Sequence, residues 1–185
     1  MRIAVTGGIA SGKSTILRML QDKGVSSLSA DALARDILWN SDVQSRLMKH
    51  FDVESPISPV VLKELISQGD ENRRAVNKIM HPVIAAEIIS SNAIAIEVPL
   101  LFEACMQTMF DAIWVASCSR QTQIQRLRDR YGNLDQFDQF SWQLDSKISI
   151  AFADSVIRTD QALNETNESL LQEAKRWDLP LVVSQ

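Results

Sequence analysis

A glycine-rich segment at residues 7–14, with the sequence GGIASGKS, constrains the fold more than any other part of the chain. It follows the short apolar run Ile3–Val5 and precedes apolar residues at helical spacing, so a strand, a loop and a helix are predicted in that order. The pattern G-x-x-x-x-G-K-[ST] in this context predicts a loop whose backbone N–H groups bind phosphate at the positive end of a helix dipole. We therefore expect Lys13 at the β- and γ-phosphates of a nucleotide and Ser14 at Mg²⁺.

Hydrophobic patterning along the rest of the chain predicts an α/β fold. Short apolar strands alternate with helices, which is typical of a parallel sheet. From Asp42 to Ser91 the pattern is mostly helical, with breaks at Pro56, Pro59 and Pro82, and this indicates an inserted helical lobe. The strands after the first are predicted at 25–28, 93–98, 112–116 and 155–157, and the later helices at 121–130, 137–152 and 165–177.

Composition narrows the classes of function. The chain has 185 residues, enough for one domain with a sizeable core, and its 45% hydrophobic and 23% charged residues are typical of globular proteins. Its longest apolar runs are far shorter than the roughly 20 residues of a membrane helix, and no signal-peptide pattern precedes the first strand. We therefore expect a cytoplasmic protein without a membrane partner. The net charge of −4 argues against non-specific nucleic-acid binding. Cys105 and Cys118 lack metal-binding spacing and are expected in the core.

Two acids are candidates for chemistry at the phosphate end. Asp31 follows the second strand, and Arg35 lies one helical turn later on the same face, so Asp31 could take a proton from an acceptor hydroxyl while Arg35 binds the acceptor. The alternative is a helix N-cap aspartate with a solvent-facing arginine. Glu97 ends an apolar strand, where an acid can support Mg²⁺ through water. Its alternative is an exposed strand end.

Basic residues on a later predicted helix are candidates for phosphate contacts. Gln123, Arg126 and Arg130 recur at spacings of three and four residues, which places two guanidinium groups on one face. The alternative is a solvated charged face. His81 precedes Pro82 and could contact substrate or simply begin a helix; taken alone, the pair favours the helix start.

In this order the motifs resemble the dephospho-CoA kinase family. The resemblance runs along nearly the whole chain, and HP followed by PLLFE at this spacing is more particular than the phosphate loop, which many families share. It rests on GGIASGKST at the start, SADALAR around Asp31, HP at 81 and 82, EVPLLFE from Glu97, QIQRLRDR from Gln123, and Gln143 with Ala153-Asp154 and Val156-Ile157.

The resemblance implies a single kinase domain over residues 1–185. Its three-layer P-loop core would have a parallel five-stranded sheet and comprise residues 1–34, 92–119 and 150–185. A helical CoA-binding lobe would span about 35–91, and a helical lid about 120–149. The implied reaction transfers the γ-phosphoryl group of ATP to the ribose 3′-hydroxyl of dephospho-CoA, giving CoA and ADP with Mg²⁺ as cofactor. We expect a monomer or a small homo-oligomer.

The resemblance also assigns roles to matching positions. Asp31 is the implied general base, with Lys13, Arg126 and Arg130 as further catalytic residues. Ser14 is the implied Mg²⁺ ligand, and Glu97 supports the ion through water. The implied dephospho-CoA contacts are Asp31, Arg35, His81, Pro99 and Leu100. The implied ATP contacts are Gly7, Gly8, Ile9, Ala10, Ser11, Gly12, Lys13, Ser14 and Thr15.

Several positions depart from the family pattern. Ala10 stands in place of a glycine, and its methyl group is tolerated if φ is negative but strained if φ is positive. The other departures are Ser29 for the first aspartate of DAD, Ser58-Pro59 for an Asp-Arg pair, Gln139 for a lid arginine and Thr159 for an asparagine. They leave two alternatives open: a kinase for another nucleotide or nucleoside, and a nucleotide-binding regulator without transfer activity.

Overall fold

Five strands form one sheet in a computed structural model that describes residues 1–132 and 146–182. The strands are β1 (Ile3–Thr6), β2 (Ser27–Ser29), β3 (Ala95–Glu97), β4 (Ala112–Ser117) and β5 (Ser155–Arg158). Their order is β2-β3-β1-β4-β5, so β1 is central. It pairs in parallel with β3 and with β4, and β4 pairs in parallel with β5. The predicted α/β fold with a parallel five-stranded sheet is confirmed.

The central strands β1, β3 and β4 are largely buried on both faces, as strands of a parallel sheet usually are, whereas alternate residues of the edge strand β5 are exposed. On one face, Ile3 and Val5 of β1 and Trp114 of β4 belong to a core cluster that also contains Ile16 and Leu170. Residues that alternate with these, such as Ala4, Ile96 and Val115, are also at most 1% exposed. Because both sets are buried, the strands read as continuous apolar runs in the sequence.

Helices connect the strands and divide between two compact units, Met1–Leu28 with Asn92–Gln185 and Ser29–Ser91. A short 3-10 helix spans Gln107–Met109. The helices of the described residues are α1 (Lys13–Gln21), α2 (Ala30–Leu38), α3 (Ser41–Phe51), α4 (Pro59–Ser67), α5 (Asp70–Ser90), α6 (Arg120–Tyr131), α7 (Ser146–Ala151) and α8 (Leu163–Arg176).

The second unit, Ser29–Ser91, consists of the helices α2 to α5 and the loops between them, apart from the last residue of β2. Helices α2, α3 and α4 all pack on the long helix α5. The side chain of Gln44 lies inside this unit and binds the backbone of two other segments, at Leu38 and Ile57. A buried amide with three hydrogen bonds fixes the path of the chain between α3 and α4.

The predicted break at Pro82 is wrong, because α5 continues through it from Asp70 to Ser90. Proline has no N–H to donate to the carbonyl group of residue 78, which weakens a helix locally. Buried residues on both sides of the proline, among them Ile79 and Ile84, keep α5 packed through this point. The prediction that His81-Pro82 begins a helix is wrong for the same reason.

The remaining predictions concern the predicted helix 137–152, the two cysteines and membrane-spanning helices. Gln139, Gln143 and most of the predicted helix 137–152 lie outside the described residues. Cys105 is exposed and Cys118 only half-buried, so the prediction of two core cysteines is wrong. No helix in residues 1–132 and 146–182 is both long and apolar enough to cross a membrane.

Candidate active site

The phosphate loop lies between β1 and α1 and uses glycine where no side chain fits. Gly7 has φ +137°, and a Cβ atom there would lie 2.4 Å from the backbone oxygen of Ala116. Gly12 has φ +96° and precedes α1, and its Cβ atom would lie 2.8 Å from Thr159 Oγ1. Both positions therefore require glycine for conformation and for space.

Polar groups of the loop converge on its interior. Lys13 is buried, and its Nζ donates hydrogen bonds of 2.9 Å to the carbonyl oxygens of Gly7 and Gly8. Ser11 Oγ is also buried and has no hydrogen-bond partner among the described residues. The N-cap residue of α1 is Gly12, which has no side chain to cap the helix N-terminus. A buried cation, an unpaired buried hydroxyl and an uncapped helix N-terminus together fit an anionic ligand such as a nucleotide phosphate.

Ser14 and Glu97 form the part of the site that fits a divalent cation. Ser14 Oγ donates a hydrogen bond of 3.0 Å to Glu97 Oε1. Glu97 is the last residue of β3, lies beside Val5 of β1 and is only 8% exposed. A hydroxyl group and a carboxylate in contact are oxygen ligands of the kind that Mg²⁺ prefers. The alternative of an exposed strand end for Glu97 is wrong.

Ala10 has a left-handed backbone with φ +56°. A side chain at such a position brings Cβ close to the following carbonyl group, which costs roughly 1–2 kcal/mol relative to glycine. The departure at Ala10 is therefore a strained one, and this strain lies inside the phosphate loop.

Three side chains bind three consecutive carbonyl groups of the loop. Gln123 Nε2 donates to Ile9 O at 2.7 Å, and Arg126 Nη1 donates to Ala10 O at 3.2 Å. Thr159 Oγ1 donates to Ser11 O at 2.6 Å. The sequence analysis named all three residues but did not predict that they bind loop carbonyl groups. Every residue has a carbonyl group, so residue types do not show which one a distant side chain binds. The one signal in the sequence was the position of Thr159 directly after β5, because residues at the carboxyl ends of parallel strands lie near the ligand site.

The remaining predicted residues of the first unit occupy three locations. Arg130 lies exposed in the last turn of α6, and phosphate contact by Arg126 and Arg130 stays a prediction. Thr15 lies in the first turn of α1, where its N–H donates to Gly12 O. Pro99 and Leu100 follow β3 and are half-buried.

Asp31 and Arg35 lie on α2 in the second unit. The N-cap of α2 is Ser29, whose hydroxyl group accepts a hydrogen bond from Ala32 N–H, so the N-cap interpretation of Asp31 is wrong. Asp31 instead lies exposed in the first turn. Arg35 Nε donates to the backbone oxygen of Asp31 at 3.3 Å, which keeps both residues on one helix face. The carboxylate group of Asp31 therefore does not serve as the N-cap of α2.

His81 lies half-buried in the middle of α5. Burial lowers the pKa of His81 from its ordinary value of 6.5, because the charged imidazolium loses solvation. A neutral imidazole can accept or donate a hydrogen bond to a substrate without adding charge. An open groove of about 640 Å³ lies near the start of the same helix, and none of the predicted residues lines it.

Ser58 and Pro59, the positions at which the resemblance implies an Asp-Arg pair, begin α4. Ser58 Oγ accepts a hydrogen bond from Val61 N–H, and Pro59 occupies the first helical position. Serine at the N-cap followed by proline is a strong helix start. This departure therefore has a structural role in the second unit.

Comparisons with known proteins agree along most of the chain. A family model described as dephospho-CoA kinase matches residues 1–165. A dephospho-CoA kinase of Carboxydothermus hydrogenoformans is 30% identical over 192 residues, which cover 95% of this chain and 93% of that protein.

Two solved structures share the fold. A crystal structure of a Thermus thermophilus protein aligns with a TM-score of 0.82 at 22% identity and covers 96% of this chain and 97% of that one. A dephospho-CoA kinase from Campylobacter jejuni aligns with a TM-score of 0.70 at 21% identity, with coverage of 95% and 96%. At this level of identity, the structures support the fold alone.

Proposed function

The chain belongs to the dephospho-CoA kinase family, and we propose that it transfers the γ-phosphoryl group of ATP to the ribose 3′-hydroxyl of dephospho-CoA with Asp31 as general base. The observation that carries this proposal is the phosphate loop after β1, where Lys13 lies inside the loop and Ser14 contacts Glu97 at the end of β3. ATP is the phosphoryl donor in this family of kinases.

The phosphate loop supplies binding and electrostatic stabilisation. Lys13, already inside the loop, exchanges its bonds to the carbonyl groups of Gly7 and Gly8 for bonds to phosphate oxygens. Ser14 and Glu97 are the residues that would hold Mg²⁺, which neutralises phosphate charge when bound. Because charge moves toward the leaving oxygen during transfer, fixed cations around the phosphates lower the barrier.

On the acceptor side, the reaction needs a base for one proton. The 3′-oxygen forms a bond to the γ-phosphorus while the bond from that phosphorus to the β,γ-bridging oxygen breaks, and ADP leaves. The hydroxyl proton passes to the carboxylate group of Asp31 and then to solvent. The exposure of this carboxylate and its freedom from capping support the assignment. Arg35 and His81 are proposed to bind dephospho-CoA, and Arg126 and Arg130 are proposed to contact the phosphates.

A coupled ADP-release assay with dephospho-CoA as acceptor tests the function, which is refuted if ADP release does not depend on the acceptor. Asp31→Asn should lower kcat by about 10²-fold or more with unchanged ATP affinity. Lys13→Ala should weaken ATP binding as well as transfer, because its charge contacts phosphate throughout. Asp36→Asn, at an exposed position of the same helix, is the matched control. Equal activity of the Asp31→Asn and Asp36→Asn variants would show that Asp31 is not the general base.

The cellular setting is part of the proposal. We propose a cytoplasmic enzyme that acts on two small molecules as a monomer or a small homo-oligomer. The net charge of −4 supports the further proposal that it does not bind nucleic acid. Light scattering of the purified protein measures its oligomeric state.

A further inference from the structure

Two departures from the family pattern, Ala10 and Thr159, meet in one hydrogen-bonded network. Arg126 Nη1 lies 3.2 Å from Ala10 O and 3.0 Å from Thr159 Oγ1, so one guanidinium group bonds to both residues. Its Nη2 also donates to the backbone oxygen of Thr159. Thr159 is only 7% exposed, and its N–H donates to Ser117 O in β4. The network therefore ties the phosphate loop to the sheet.

The members of this network act on successive peptide groups. Gln123 holds the carbonyl group of residue 9, Arg126 that of residue 10 and Thr159 that of residue 11. Arg120 Nη1 donates to Gln123 Oε1 at 2.8 Å, which orients the amide so that its Nε2 faces the loop. Since each of these peptides is trans, fixing a carbonyl group also fixes the following N–H on the opposite side.

We propose that Gln123, Arg126 and Thr159 form a carbonyl clamp that holds Ala10 in its left-handed conformation and so keeps the loop ready for nucleotide. An alanine disfavours this conformation by about 5- to 30-fold relative to glycine. Without the clamp, Ala10 would relax to negative φ and turn its peptide groups away from the phosphate-binding arrangement. A glycine at the same position would keep the left-handed conformation accessible. Thr159 is thus a positioning residue whose importance depends on Ala10.

The proposal rests on nucleotide binding at the loop and predicts a specific kinetic pattern. When the competent conformation is only partly populated, the apparent dissociation constant rises by the inverse of that population. The loop is correctly formed once ATP is bound, so kcat at saturating substrates is preserved. Loss of the clamp should therefore weaken ATP binding while leaving turnover nearly unchanged.

A double-mutant cycle tests this pattern by isothermal titration with MgATP in the absence of acceptor. Thr159→Val removes the hydroxyl group and keeps the shape, and it should raise the Kd for MgATP about fivefold or more. In the separate coupled ADP-release assay with saturating substrates, its kcat should stay within about twofold of the wild type. In an Ala10→Gly background the same substitution should raise Kd no more than about twofold. Thr159→Ser, which keeps the hydroxyl group, should restore the affinity.

Controls separate the clamp from general damage. Thr166→Val removes another buried hydroxyl group of the same unit, which donates to Arg158 O, and should leave the Kd for MgATP unchanged. If Thr159→Val does not fold, Gln123→Met tests the clamp through the carbonyl group of residue 9. Unchanged affinity of Thr159→Val, or an equal loss in the wild-type and Ala10→Gly backgrounds, overturns the proposal. ATP binding without transfer to dephospho-CoA would refute the proposed function instead and leave this test intact.

Discussion

Gln44 offers a direct test of how the second unit is held together. It lies in α3, is 9% exposed, and its amide forms three hydrogen bonds to backbone groups. Nε2 donates to Leu38 O at 2.7 Å and to Ile57 O at 2.9 Å, and Oε1 accepts from Ile57 N–H at 2.9 Å. Since Ile57 precedes the first turn of α4, this amide sets where α4 begins.

Gln44→Met removes these bonds and retains the length of the side chain. It leaves two carbonyl groups and one N–H without their partner in a buried place, at about 1 kcal/mol each, so the unfolding free energy should fall by about 3 kcal/mol. A domain of this size has a total stability of about 5–15 kcal/mol, so the variant should still fold. The melting temperature should fall by about 6–12 °C.

Urea unfolding followed by far-UV circular dichroism measures this loss. Gln68→Met is the matched control, because Gln68 is an exposed glutamine of the same unit whose Oε1 accepts a single hydrogen bond from Asn72. Its unfolding free energy should change by less than about 0.5 kcal/mol. A loss below about 1 kcal/mol for Gln44→Met, or equal losses for the two variants, would refute the reasoning from buried hydrogen bonds.

Two further predictions concern the candidate site. Glu97→Gln should raise the Mg²⁺ concentration for half-maximal activity about 10- to 100-fold, because it removes the charge that contacts Ser14. The control for this magnesium titration is Glu103→Gln, at an exposed position six residues later in the chain. Because the pKa of His81 is lowered in the folded protein, the unfolded chain binds more protons at this residue than the folded one does. The stability that this difference contributes is fully present above about pH 6.5, and it is lost as the pH falls through 6.5 toward the folded pKa. Urea unfolding at a series of pH values should therefore show a weaker acid-side decline for His81→Gln than for the wild type or for His50→Gln, and identical declines would exclude this linkage.

The sequence predicted what local pattern determines. Apolar runs bounded by loops located all five strands to within a few residues, and the phosphate loop followed β1 as its motif requires. The predicted break at Pro82 is wrong because proline disfavours a helix locally, whereas the burial of Ile79 and Ile84 in the tertiary structure favours a continuous helix. The bonds from Gln123 and Thr159 to the loop join residues more than 110 positions apart, so no local pattern could reveal them.

The departures from the family pattern differ in what they do to the structure. Ser29 caps α2, Ser58 caps α4, and Thr159 bonds to the phosphate loop, so each of these supplies a hydrogen bond of its own. Ala10 is different, because its methyl group adds strain and forms no hydrogen bond. A strained residue persists only where its surroundings hold it in place. The carbonyl clamp provides that restraint, because it binds the carbonyl group of Ala10 and those of the residues on either side of it.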